Sequence, residues 1–109
     1  MRGGNYQWPT CYGNGIHLSR SSCVGTLPTW ESGSQTVVPT GATFVSTQGP
    51  SGYQGLFVFC SYSQARLKVM PADGSRILFD GPRCQLDVKE GLDHALYLSD
   101  TAAIYRFGP

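Results

Sequence analysis

Gly55-Leu56-Phe57-Val58-Phe59-Cys60-Ser61-Tyr62, followed by Ala65-Arg66-Leu67-Lys68-Val69-Met70, is the stretch from which the fold is read. The first run is apolar on both faces of an extended chain and far too short to cross a membrane, so it reads as a core strand. The second alternates Ala65, Leu67 and Val69 with Arg66, Lys68 and Met70, the period of a half-exposed strand.

The same grammar continues downstream. Pro71-Ala72-Asp73-Gly74-Ser75 turns the chain, residues 76–80 pair back as a hairpin, and Asp80-Gly81-Pro82 turns it again. Cys84, Leu86 and Val88 then alternate with Gln85, Asp87 and Lys89, and Glu90-Gly91 ends that strand. Residues 94–99 and 102–107 form a last pair around Asp100-Thr101. Upstream, two strands over 35–38 and 43–47 flank Pro39-Thr40-Gly41, and residues 48–52 and 26–34 read as loops. Near the N-terminus, Asn14-Gly15 supplies the positive φ of a type I′ turn and folds Cys11-Tyr12 back toward Ile16-His17-Leu18. No stretch keeps the 3.6-residue period of an amphipathic helix over three turns.

These runs predict an all-β fold. The expected form is a small, disulfide-stabilised, mostly antiparallel sandwich or partly open barrel of about eight short strands. One β domain is expected over residues 1–109, with a loop-rich, disulfide-stapled segment at 1–34 and an antiparallel meander at 35–109.

Cysteine usage sets the compartment. Cys11, Cys23, Cys60 and Cys84 are even in number, the chain is short, and no Cys-x-x-Cys pair occurs. That pattern points to two disulfides in an oxidising environment rather than to zinc, whose structural sites use closely spaced ligand pairs. Four cysteines allow three connectivities. Cys11–Cys23 and Cys60–Cys84 are favoured, because neighbours in a meander face each other across adjacent strands. The expected location is extracellular, cell-surface or periplasmic. Met1-Arg2-Gly3-Gly4-Asn5-Tyr6 offers no apolar export segment, so export implies a leader already removed or a domain of a longer surface protein.

Charge is unevenly spread. Residues 1–65 carry only Arg2, Arg20 and Glu31, and every other Lys, Arg, Asp and Glu falls within 66–109. The weakly charged part is instead rich in Gly, Ser, Thr, Gln and aromatic residues. Such a surface fits a neutral partner, a glycan or a protein on a cell surface. It fits nucleic acid poorly, since that requires clustered Lys and Arg. Trp8, Tyr12, Trp30 and Tyr53 lie in these segments and are the candidate binding residues, because exposed Trp and Tyr offer flat apolar area with a polar tip. The expected function is non-catalytic recognition or adhesion, as in the terminal domain of a pilus or fibre adhesin. No cofactor, metal or membrane span is expected.

The alternative is a small secreted, metal-independent hydrolase of ribonuclease type. It would use His17 and His94 with a carboxylate and an arginine, since His titrates near neutrality and Arg grips phosphate oxygens in a fork. No motif spaces these residues. There is no Gly-x-Ser-x-Gly elbow, no Asp-x-Asp-x-Asp calcium loop and no Asn-x-Ser/Thr sequon.

Overall fold

The computed structural model describes Gly4 and residues 28–109. The expected hairpin around Asn14-Gly15, the Cys11–Cys23 pairing, Trp8, Tyr12 and His17 lie outside the described residues. The chain divides into two compact units, Met1–Gln35 and Thr36–Pro109. In the first, the Ser32 hydroxyl and carbonyl close a short turn on Gln35, with the hydroxyl donating to the Gln35 carbonyl at 2.8 Å.

The second unit is all-β. Among the described residues it has seven strands: β1 (Pro39–Phe44), β2 (Phe57–Ser61), β3 (Arg66–Met70), β4 (Phe79–Arg83), β5 (Asp87–Glu90), β6 (Leu96–Ser99) and β7 (Ile104–Phe107). They form a four-stranded sheet in the order β1-β2-β3-β4 and a three-stranded sheet in the order β5-β6-β7. Every pairing is antiparallel, and the arrangement is sandwich-like.

Period-two alternation explains the core. Val58 and Cys60 of β2, Leu67 and Val69 of β3, Val88 of β5 and Leu96 and Leu98 of β6 all point into one buried cluster, with Val45 and Cys84 completing it. Cys60 and Cys84 stand at disulfide distance inside that cluster, their Cα atoms 5.0 Å apart.

The two sides of the sandwich are closed by different means. On one side, β1 reaches across to the start of β5, where Gly41 donates its N–H to the Leu86 carbonyl at 3.0 Å and Thr40 Oγ1 donates to the Gln85 carbonyl at 3.0 Å. On the other, the Tyr53 ring packs edge-on against Phe79 of β4 and Phe107 of β7, with centroids 5.4 and 5.1 Å away.

Several sequence expectations are corrected. Residues 35–38 form no strand. Val38 adopts φ 52°, which turns the chain, and β1 begins at Pro39. The carbonyls of Thr36, Val37 and Val38 are held instead by Ser63 Oγ, Ser61 Oγ and the Tyr62 N–H. Those bonds keep a β-branched residue in a left-handed conformation that it otherwise avoids.

The expected turn at Asp80-Gly81-Pro82 is part of β4. Arg66 pairs with Arg83 and Lys68 with Asp80, so β4 spends one residue more than β3 over that interval. β1 does the same against β2 between Pro39 and Ala42. Turn-forming residues at a sheet edge thus made bulges, where a missing N–H and a Gly are both tolerated.

β3 is not half-exposed either. Leu67, Lys68, Val69 and Met70 are all buried, leaving only Arg66 exposed. The Lys68 ammonium tolerates this because both Asp80 carboxylate oxygens accept from it at 3.0 Å.

Gly41 is the tightest point of the closure. A Cβ there would stand 2.6 Å from Asp87 Cα, a backbone atom that has no room to retreat. Gly41→Ala is therefore expected to destabilise the protein by about 1–3 kcal/mol, the range for overpacking a close contact. A lowered denaturant midpoint at unchanged slope checks it.

Candidate functional site

The candidate binding aromatics fall in different units. Trp30 is half-buried in the first, and Tyr53 is half-buried in the second. Burial pushes the Tyr53 hydroxyl above its ordinary pKa, against a smaller opposing effect of Arg66. The Tyr53 ring plugs the gap between β4 and β7, a packing role that sequence did not suggest. A second aromatic feature was also missed: Phe44, 63% exposed, lies against Phe57 at 4.9 Å on the face of the four-stranded sheet away from the core. Its signal was present in Thr43-Phe44-Val45, where alternation sends Val45 inward and Phe44 outward.

His94 was expected to begin a strand. It occupies the β5–β6 turn instead, at φ 64°, where His is tolerated better than most side chains. The turn is tied by the Gly91 N–H to the Ala95 carbonyl and the His94 N–H to the Gly91 carbonyl, each at 2.9 Å. This geometry brings His94 Nδ1 to 2.8 Å from Glu90 Oε2. A carboxylate only accepts, so Nδ1 carries the proton.

Glu90 also binds the segment after β1. It accepts from the Ser46 N–H at 2.7 Å and from Ser46 Oγ at 2.5 Å, while Ser46 Oγ accepts from the Gln48 N–H at 3.1 Å. The Ser46 hydroxyl first, and His94 second, hold the Glu90 carboxyl below its usual range. A serine, a carboxylate and a histidine thus meet, but in the wrong order for nucleophilic catalysis. The serine proton points at a weakened base, and the histidine bonds to the same carboxylate oxygen, Oε2, instead of accepting from the serine.

The neighbouring carboxylates serve the same structural purpose. Asp93 accepts from the Tyr97 hydroxyl at 2.7 Å, the Arg106 Nε–H at 3.1 Å and the Ala95 N–H at 3.2 Å. Tyr97 and the Ala95 N–H lower its pKa. Asp100 is buried and takes four donors: Arg83 Nε at 2.5 Å, Tyr105 Oη at 2.9 Å, and the Ala102 and Ala103 N–H groups at 2.8 and 2.9 Å. The Arg83 guanidinium first, and those backbone donors next, hold its carboxyl far below the ordinary aspartate range.

Among the described residues no group of three or more His, Cys, Asp and Glu side chains is arranged to hold a metal ion. Among the same residues, no helix is long and apolar enough to cross a membrane. Comparison with family models, with curated proteins and with solved structures gives no match.

The carboxylate network makes stability depend on acid. Glu90, Asp93 and Asp100 all have folded-state pKa values below their unfolded ones. Their stabilisation is complete above the unfolded value of about 4 and is lost as pH falls through it toward the folded values. Wild-type Tm is expected to drop as pH falls below about 4, and Asp100→Asn to lower Tm at neutral pH while flattening that acid slope. Thermal melts across that range measure both effects.

Proposed function

We propose that this protein is a non-catalytic extracellular recognition or adhesion module that binds a neutral partner, a glycan or a protein on a cell surface. The observation that carries the reading is the commitment of its carboxylates. Glu90, Asp93 and Asp100 each accept several donors and have depressed pKa values. A general acid or base working at neutral pH needs the opposite shift. What the surface offers is exposed apolar area on rigid strands, including Phe44, together with the weakly charged aromatic segments before residue 66. Affinity for a neutral partner then comes from buried aromatic area and neutral hydrogen bonds, with little long-range Coulomb attraction. The Cys60–Cys84 pair supports an oxidising compartment.

The ribonuclease-type alternative draws support from one feature, the Glu90–His94 contact, which orients an imidazole at the surface. The partner histidine it would need, His17, lies outside the described residues.

One experiment separates the two. The wild type is screened against glycan and surface-protein arrays, then again as Trp8→Ala, Trp30→Ala and Tyr53→Ala. A true anchor loses about 2 kcal/mol or more of binding on truncation with stability nearly intact. Tyr53→Ala is expected to lower stability, since it empties the gap between Phe79 and Phe107. Binding is expected to be nearly independent of salt. Cleavage of RNA in EDTA that disappears in His94→Ala would establish the alternative.

A further inference from the structure

Cys60 and Cys84 stand at disulfide distance, and both are fully buried. Their cluster draws Val58, Leu67 and Val69 from one sheet and Val88, Leu96 and Leu98 from the other. The backbone around them is held as well. Cys60 lies in β2, the strand between β1 and β3, and stands opposite Leu67 in the ladder. Cys84 opens the crossing between the sheets, and its N–H bonds to the Ala65 carbonyl at 3.2 Å. The two residues after it give their N–H groups to Ser99 and their carbonyls to Thr40 and Gly41.

Thiol–disulfide exchange is blocked in such a place. A thiolate attacks one sulfur of the bond, and the other sulfur leaves as a thiolate. Here the attacking anion would have to enter an apolar cluster, and the leaving anion would form inside it, where neither charge finds water or a partner. Making the bond meets the same barrier. A thiol buried in apolar surroundings resists ionisation, and only the thiolate reacts.

We propose that closure of the two sheets seals the Cys60–Cys84 bond, so that its redox state is set while the chain is open and changes afterwards only through global unfolding. The reaction that makes the bond then acts on the open chain. Two thiols lose two electrons and two protons to a disulfide oxidant, a small molecule or an oxidoreductase, which leaves as two thiols. Reduction by a dithiol runs in reverse. One of its thiolates opens the bond to a mixed disulfide, the other displaces the protein sulfur, and the dithiol leaves as a cyclic disulfide while both cysteines end as thiols. A bond of this kind survives reducing surroundings for as long as the fold stays closed. Redox-sensing cysteines need the opposite setting, exposed and readily ionised.

Dithiothreitol tests the seal on the full chain folded under oxidising conditions, in the range where the rate is proportional to the reductant. Samples are quenched in acid, alkylated in denaturant and mapped, so that Cys60 and Cys84 are read separately from Cys11 and Cys23. Reduction of Cys60–Cys84 is expected to be about 1000-fold or more slower in the native protein than in denaturing urea, the factor set by the small population of open chain. The logarithm of the rate is expected to rise linearly with urea, with the slope of the global unfolding curve. Val88→Ala, which leaves a cavity in the same cluster, is expected to speed reduction by the factor by which it raises the unfolded population.

Formation of the bond is tested from the other side. The reduced chain is diluted out of urea, and oxidised glutathione is added once the circular dichroism spectrum is steady. A native spectrum is expected to go with oxidation at the unfolding-limited rate. A spectrum that stays unfolded until glutathione is added shows directly that the bond precedes closure. Three results overturn the proposal: alkylation of Cys60 and Cys84 without any reductant, native-state reduction at a rate that ignores urea, as local opening of the crossing would give, and fast oxidation of a reduced chain that is already native.

Discussion

The crossing between sheets at residues 84–86 is the constraint on which the second unit depends. A chain that leaves one sheet for another interrupts its ladder, and every peptide group it exposes there must find a new partner. Here the Cys84 N–H bonds to the Ala65 carbonyl, and the Gln85 and Leu86 N–H groups both reach the Ser99 carbonyl. The carbonyls of Gln85 and Leu86 are taken by Thr40 and Gly41. Cys84 is fully buried and stands at disulfide distance from Cys60, so the crossing is also pinned to the middle of the four-stranded sheet. With that corner satisfied, the two sheets share one apolar cluster.

The rest of the polar chemistry works as fastening. Lys68 and Asp80 let a charged side chain lie within a buried face. Asp100 gathers the last hairpin and the end of β4 onto a single carboxylate, and Glu90 ties the segment after β1 to the β5–β6 turn. Each of Glu90, Asp93 and Asp100 accepts from several N–H or O–H donors at once. That is why their pKa values fall, and why they make poor proton shuttles. In the proposed function, recognition rests on apolar and aromatic surface held by this framework.

Much of that framework was written locally. Alternation in Leu67-Lys68-Val69 and Leu96-Tyr97-Leu98, frequent turn residues and the absence of a helical period determined an all-β, antiparallel chain from sequence alone, because strand faces follow from neighbours two residues apart. The pairing of Cys60 with Cys84 was favoured on the same meander logic, among connectivities that sequence left open.

Tertiary structure decided what local chemistry leaves open. Thr40-Gly41 and Gly81-Pro82 carry turn signals, yet each became an edge bulge, because a missing donor and a small residue suit a sheet margin as well as a loop. Val38 has high strand propensity and sits at positive φ, because Ser61, Tyr62 and Ser63 hold the carbonyls at 36–38. The meeting of Ser46 with Glu90 spans 44 residues, and no spacing rule could announce it. Tyr53 looked like a free loop aromatic until β4 and β7 supplied Phe79 and Phe107 around it. Sequence sets what each segment prefers within a few residues; the long-range closure of the two sheets determines which preferences are satisfied, because only there do backbone donors, charges and rings find their partners.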